Sequence, residues 1–438
     1  MTKIFYRLLS VMCVVVTYTH PTQNIDVQGV QRAKVPLAIC VVGDSNSQLF
    51  QVAGRLQDDL TFSGQFDVAI KPIETPLSKK DIKDLFKQGY PLAIFMSEAK
   101  QGSAFEWRVY DTACVHMVKG KKYTKRSIDP NGWAHNIADA VWPTLTGQPG
   151  FFSTKIAYCK KIDPIKGKSI KHICVADYDG KNEKIIVNTP TVNVVPRWNH
   201  DAQNPLIFYS EYTNENVRLM VVNMKKQRRI ASDFDGINML TSFSDDGKKV
   251  VYCASRGDGN CQLYYYDATS KFKKLQYTDP ITHRSMQHGN NVSPTLTADG
   301  NTVFFCSDFL TEYPQIFQYE LATGRVERIS SEGYCASPSY CATKNCIAYI
   351  KRVEGVMQIF TYDIATKKHT QITHDKANKD ECSWSPCGNY ILASVERADR
   401  SRLGIFNMLT SDWHYITPVV AHCDYPTWSP IYGTYPVV

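Results

Sequence analysis

"CSWSPCGNYILASVERADRSRLGIFNM", residues 382–408, places Trp-Ser-Pro ahead of a glycine turn and an apolar run, and "PTWSPIYG" at 426–433 begins the same phrase again. Trp384 and Trp428 are 44 residues apart, and two further steps of 44 back along the chain reach Tyr340 in "SPSYCATKNCIAYI" and Leu296 in "SPTLTADGNTVFFC". A fixed period of about 40 to 50 residues is the signature of a structural array or a propeller.

Two more columns share the period. One is an apolar strand, at Ile156–Cys159, Leu206–Tyr209, Val250–Cys253, Val303–Cys306, Ile347–Ile350 and Ile391–Ser394. The other is an apolar run closed by an acid or Asn, ending at Asp177, Asn223, Asp267, Glu320, Asp363 and Asn407. Each unit reads as four short β-rich runs parted by Asp, Asn, Gly and Ser turns, which is a propeller blade rather than a helical pair. The first column holds Trp198, Phe243, Leu296, Tyr340, Trp384 and Trp428. It is offset from the others, because no blade follows Trp428 and no such strand precedes the blade that starts near Phe152. A ring removes both loose ends if the C-terminal strand becomes the innermost strand of the first blade and leaves no open edge. The expectation is an all-β six-bladed β-propeller over 150–438.

Ahead of it, "VPLAICVVG" reads as a buried strand, "SQLFQVAGRLQDDLTFS" as an amphipathic helix and "QFDVAIK" as a second strand. A helix, three strands and a closing helix, "NGWAHNIADAVWPTLTG", complete a small N-terminal α/β domain over 35–147, with Gly147 to Gly150 as the linker. The opening "MTKIFYRLLSVMCVVVTYTHPTQ" sets Lys3 and Arg7 before an apolar core from Leu8 to Val16, the build of a signal peptide. That run is shorter than the roughly 20 residues of a membrane-spanning helix. Residues 1–20 are expected to be removed by cleavage near 19–24, and residues 21–34 to form a flexible tail with too little apolar surface to build a core.

The formal charge of +8 is spread along the chain in short clusters such as "VKGKKYTKR" and "MKKQRR", with no nucleic-acid-binding motif. Fourteen cysteines in an exported chain invite disulfides. Cys159, Cys253 and Cys306, however, share a repeat position that elsewhere holds Tyr209, Ile350 and Ser394, so they read as buried packing thiols. No CxxC pair supports zinc. "VVGDSNSQ" places Asp44 and Ser45 after a strand, as in one class of esterases, but no D-x-x-H supplies the base that would activate the serine. A turn capping the helix at Gln48 is the simpler reading. Asp246, Asp258, Asp299 and Asp308 sit in turn contexts. No catalytic residue, metal site or cofactor is expected.

Nearly the whole chain resembles the TolB family of the Tol-Pal envelope system. The resemblance rests on the junction "LTGQPGFFSTKIAYC", on "HICVADYDGKNEKIIV", on the blade "FSDDGKKVVYCASRGDGNCQLYYYD" and on the terminal "YPTWSP". It implies a periplasmic, monomeric, non-enzymatic protein that links a Pal-like peptidoglycan-associated lipoprotein to a TolA-like inner-membrane protein and serves outer-membrane integrity and constriction at cell division. By the family pattern the tail is the TolA-binding segment, here Asn24, Ile25, Asp26, Val27 and Gln28 within "NIDVQGV". The Pal-like partner would meet the loops entering the innermost strands: Asn193, Ile237, Asn238, Asn290, Asn291, Tyr334, Asp380, Glu381, Asp424 and Tyr425. The chain departs from the family in "DGIN" at 235–238 and in the insertion "TDPITHRSMQHGNN". The competing reading is an enzymatic or glycan-binding propeller that uses its central channel, which would need acids or histidines converging there.

Overall fold

The apolar run Leu37–Val41 is almost wholly excluded from solvent, as a strand covered on both faces must be. In the computed structural model it is β1 (Val35–Val42), an interior strand of a five-stranded sheet. The structure describes residues 33–43, 46–98, 104–124, 129–162, 169–256, 259–268, 270–398 and 400–432. The chain divides into Met1–Ala33 and one compact unit, Lys34–Val438, and every described helix and strand lies in the second. The signal and tail residues 1–32, Asp44, Ser45 and Asp258 lie outside the described residues.

After β1 come α1 (Gln48–Phe62), β2 (Phe66–Ile73), α2 (Lys79–Lys87), β3 (Leu92–Glu98), β4 (Ala104–Asp111), β5 (His116–Thr124) and α3 (Pro130–Thr146). The sheet order is β2-β1-β3-β4-β5, with β1 parallel to β2 and β3. The helices start where local chemistry satisfies their first amides. Ser47 Oγ accepts from Phe50 N at 3.3 Å and caps α1. Ser78 and Asp81 form a reciprocal capping box on α2, and Asp129 caps α3 with Pro130 in its first turn.

The rest of the chain is β-propeller. Its first sheet joins β6 (Lys155–Ile162), β7 (Ile170–Asp177) and β8 (Lys184–Val187) to a second meander, β9 (Val192–Trp198), β10 (Leu206–Tyr212), β11 (Val217–Asn223) and β12 (Arg228–Ser232). The two meanders share one parallel pair, Lys171 with Val192. Four four-stranded antiparallel sheets follow in chain order. They are β13 (Asn238–Phe243), β14 (Lys249–Ala254), β15 (Gln262–Asp267) and β16 (Ser270–Lys274); β17 (Asn291–Leu296), β18 (Thr302–Ser307), β19 (Gln315–Glu320) and β20 (Val326–Arg328); β21 (Cys335–Cys341), β22 (Cys346–Val353), β23 (Val356–Asp363) and β24 (His369–Gln371); and β25 (Asn378–Trp384), β26 (Tyr390–Arg397), β27 (Arg400–Asn407) and β28 (Asp412–Tyr415). The last strand, β29 (Cys423–Trp428), returns to pair antiparallel with β6, Trp428 opposite Ile156. The repeat-position cysteines Cys159, Cys253 and Cys306 are buried, and among the described residues no cysteine forms a disulfide.

One core runs from α1 and α3 into β6, β7, β26 and β29, and includes Phe151, Phe152, Tyr178, Tyr390 and Trp428. The 147–150 segment is packed rather than loose: Asp139 accepts from Phe152 N at 2.7 Å and Ser153 N at 2.9 Å, and a Cβ on Gly150 would come within 2.5 Å of Asp139. Ionic groups cross the same boundary. His135 Nδ1 lies 2.9 Å from Asp59 Oδ2, its Nε2 lies 3.4 Å from Asp177 Oδ2, and Tyr178 donates to Asp59 at 2.9 Å. Lys155 and Asn182 also contact Asp177. Although burial opposes it, these carboxylates raise His135 to about 9.

Candidate functional site

A period-2 strand cannot turn both its neighbours' side chains the same way, so any convergence of side chains on an axis requires a break in the pleat. The strands β9, β13, β17, β21, β25 and β29 each carry one. Their pairing with the next strand slips by a bulge. The bulge holds a residue in left-handed conformation: Val195, Leu240, Ser293, Ser337, Glu381 and Tyr425, all with φ between 51° and 55°. A left-handed Val is unusual, and bulges re-aim side chains where a sheet meets a functional surface. Three residues after each stands the aromatic or Leu of the repeat column, Trp198 through Trp428.

These strands surround a channel of about 460 Å³, lined by Arg197, Thr241, Ser242, Ser293, Thr295, Ser337, Ser339, Glu381, Ser383 and Thr427 among others. Two residues past the left-handed position the strands carry Ser242, Thr295, Ser339, Ser383 and Thr427, with Arg197 as the exception. Three of the hydroxyls accept the backbone N–H of the neighbouring strand: Ser242 from Leu296 at 2.9 Å, Thr295 from Tyr340 at 3.1 Å and Ser383 from Trp428 at 2.8 Å. Arg197 instead reaches Glu381 Oε2 at 2.7 Å, and Ser337 Oγ donates to the other oxygen at 3.3 Å. The carboxylate thus ties three strands together within the channel.

The ten mouth residues expected from sequence divide by burial. Asn193, Asn238 and Asn291 are fully buried, two residues before the left-handed position, in a column that continues with the equally buried Cys335, Lys379 and Cys423. Their amides tie the strand to earlier backbone: Asn193 Nδ2 donates to Lys171 O of β7 at 2.9 Å, Asn238 Nδ2 to Phe234 O at 2.7 Å, and Asn291 Nδ2 to Met286 O at 2.9 Å. Glu381 is taken up by Arg197 and Ser337. The surface is formed by the others: Asn290 and Asp380 are exposed, and Ile237, Tyr334, Asp424 and Tyr425 half-buried. The turn acids are turn acids: Asp246 accepts from Ser244 and Lys248, Asp299 from Thr297 and Asn301, and Asp308 from Asn290 N at 2.7 Å.

The mouth is acidic on one side. The crowding of protein around the channel, then the charge of Glu381 and next those of Asp424 and Glu396, push Asp380 up to about 7. Asp380 keeps an exposed side chain, so water offsets part of the crowding and the neighbouring charges carry much of the shift. Burial likewise raises Asp424 against the opposing pull of Lys171. Lys171 contacts Asp424 and lies 5.1 Å from the centre of the Tyr425 ring. Asp424 Oδ1 is buried without a hydrogen-bond partner. Lys171 and Arg197 were not singled out from sequence. Arg197 was legible as the break in a Ser/Thr column, whereas Lys171 lies on β7 of a neighbouring meander and carries no signal of its own. Among the described residues, no group of three or more His, Cys, Asp or Glu is placed to hold a metal ion, and no helix is long and apolar enough to cross a membrane.

Comparison with known proteins places these features. Residues 142–432 match the family model described as the TolB β-propeller domain. A Tol-Pal system protein TolB of Gluconobacter oxydans is 28% identical over 256 residues, 57% of this chain and 54% of that protein. One from Francisella tularensis subsp. mediasiatica is 26% identical over 306 residues, 58% of this chain and 68% of that protein. The match to the first spans only about half of that relative's length. The crystal structure of TolB from Acinetobacter baumannii superimposes with a TM-score of 0.75 at 23% identity, covering 91% of this chain and 97% of that one, a likeness of fold.

Proposed function

The chain belongs to the TolB β-propeller family, and from that premise we propose that it is a non-enzymatic connector of the Tol-Pal system in the periplasm. In this reading residues 35–147 form an α/β domain and residues 150–438 a six-bladed propeller closed by its C-terminal strand. The pairing of β29 with β6 and the six recurring bulges support it. Residues 1–20 direct export, and the tail with Asn24, Ile25, Asp26, Val27 and Gln28 binds a TolA-like inner-membrane protein by adding as a strand. A Pal-like lipoprotein docks at the mouth of the channel. The joint work of the two contacts is outer-membrane integrity and constriction during division.

The observation that supports the mouth assignment is the recurring left-handed residue of the six strands: Asp380, Asp424, Tyr425 and Tyr334, at or near three of these positions, are close enough to shift one another's titration, and Asn290 holds the repeat position of Tyr334. Asn193, Asn238 and Asn291 take part indirectly, by fixing the strands that present them. The test is a titration of the Pal-like lipoprotein from the same envelope against the parent and an Asn290→Ala, Asp424→Arg double variant. Reversing a charge at the interface should weaken binding by about tenfold or more, with folding preserved. An unchanged affinity would reject the mouth. In parallel, a form lacking residues 20–34 should lose capture by the TolA-like protein. Full-strength capture by that form would reject the tail.

A further inference from the structure

Outside the channel the propeller has a second concavity, an apolar cleft of about 660 Å³ between the β9–β12 meander and the β13–β16 sheet. Its walls include Phe208, Ile230, Phe243, Tyr252, Tyr266 and Phe272. Two of the three large exposed phenylalanines of the described chain, Phe234 and Phe272, stand here, with Ile230 53% and Tyr266 46% exposed beside them. Scattered surface apolar residues need no explanation, but a concentrated set in a concave site does.

The cleft also holds a cation in an unusual state. The Arg256 guanidinium lies 3.6 Å from the centre of the Phe234 ring and 4.6 Å from those of Tyr264 and Phe272. Tyr264 and Phe272 stack at 5.2 Å with 15° between planes, so the platform under the guanidinium is pre-formed. Its polar contact is Tyr252 Oη at 3.4 Å, and among the described residues it has no carboxylate partner. The one acid lining the cleft, Asp233, is already bound by Arg218 Nε at 3.0 Å and Asn216 Nδ2 at 2.6 Å. In the chain beside the cleft's wall residues Ile230 and Phe272 stand the exposed Arg229 and Lys273, and the exposed Lys225 and Lys226 of the "MKKQRR" cluster lie in the turn before β12. The site therefore combines a stacked guanidinium that has no carboxylate partner among the described residues with an aromatic floor, on a surface stretch rich in Lys and Arg.

We propose that this cleft is a binding site for a protein partner's acidic segment in which a carboxylate neighbours a bulky apolar side chain. The carboxylate pairs with Arg256, whose planar fork is suited to two parallel hydrogen bonds while its face stays on the rings. The apolar side chain covers Phe272, Tyr266 and Ile230. A finite cleft with one central cation fits a short peptide segment better than a broad charged surface. This site does not depend on the channel mouth or the tail.

The test uses the full chain and a fluorescein-labelled hexapeptide, Asp-Phe-Glu-Leu-Asp-Phe, followed by fluorescence anisotropy, with a Lys-Phe-Lys-Leu-Lys-Phe peptide as the charge control. Saturable binding of the acidic peptide alone is expected. Arg256→Glu should weaken it by about tenfold or more, as should Phe272→Ser, while Arg256→Lys should retain part of it. The melting temperature of each variant, taken alongside, separates lost binding from lost folding, and Phe272→Ser serves if the charge reversal fails to fold. Three results would each overturn the proposal. These are no saturable binding to the parent, equal binding of the lysine peptide, and an Arg256→Glu affinity within about twofold of the parent's. Binding of phosphatidylglycerol vesicles through Arg256, with no peptide binding, would overturn it in favour of a lipid surface.

Discussion

Asn290 and Asn291 are chain neighbours with opposite roles. Asn291 is fully buried; its amide donates to Met286 O and Gly289 O, and its oxygen accepts from Ser307 at 2.8 Å. Asn290 is exposed and contributes its side-chain oxygen to Cys261 N at 3.3 Å. Asn291→Ala should therefore destabilise the protein by about 2 kcal/mol or more, because it strands buried carbonyls, whereas Asn290→Ala should stay within about 0.5 kcal/mol as an exposed change does. Urea midpoints of the two variants decide it, and equal midpoints would contradict the burial argument. The sequence could not separate the pair. Reading alternate residues as inward and outward works along an unbroken strand, but the left-handed residue two positions later, Ser293, shifts the pleat. The same shift hides why Glu381 turns to Arg197 while adjacent Asp380 faces solvent. Residue type and repeat position pick out the loops that enter the innermost strands; which neighbour is buried was decided by backbone geometry that leaves no compositional mark.

At the scale of the element, β29 was the most legible part of the chain, since its partner could be inferred from a strand missing at the other end of the repeat. The structure adds what fastens it. Trp428 is 5% exposed, its Nε1 donates to Thr154 Oγ1 at 2.8 Å, its backbone N donates to Ser383 Oγ, and Ser429 N donates to Lys155 O at 2.8 Å. Each bond reaches a residue far away in sequence, so β29 holds the first and last sheets together. Trp428→Ala should cost about 3 to 5 kcal/mol through the cavity it opens. Trp428→Phe should cost far less, about 1 to 2 kcal/mol, since it keeps most of the ring and leaves Thr154 without its donor. Denaturant midpoints for both variants test this. A Trp428→Ala protein as stable as its parent would show that β29 is not a structural fastening. The merging of two meanders into one sheet was not legible, because it depends on one backbone pair, Lys171 with Val192, that leaves no pattern in side-chain type.

For the whole molecule, the α/β part is fastened to the first blade by buried charge as well as by the shared aromatic core, and buried charge makes fastening depend on pH. His135 faces Asp59 and Asp177, with Tyr178 bonded to Asp59, Lys155 and Asn182 on Asp177, and Asp139 and Arg55 close by. Its folded value is raised from 6.5 to about 9, so between those values the folded state holds a proton that the unfolded chain releases. The stabilisation is fully present below pH 6.5 and is lost as pH rises towards 9. Its size is of order 2 to 3 kcal/mol across that window. Asp380, raised to about 7, gives a fall of the same sign but in a lower window, between about pH 4 and 7. Asp177, depressed by His135 and Lys155 against the effect of burial, acts only in acid, where its contribution disappears as pH falls. The windows therefore separate the groups. Urea unfolding at pH 6.5, 7.5 and 8.5 should show the parent losing stability steadily. His135→Gln, which keeps a hydrogen-bonding side chain but has no proton to release, should be less stable at pH 6.5 and nearly flat across the same range. Equal slopes for the two proteins would mean that His135 is neutral in the folded state and that its charge takes no part in fixing the α/β part to the propeller.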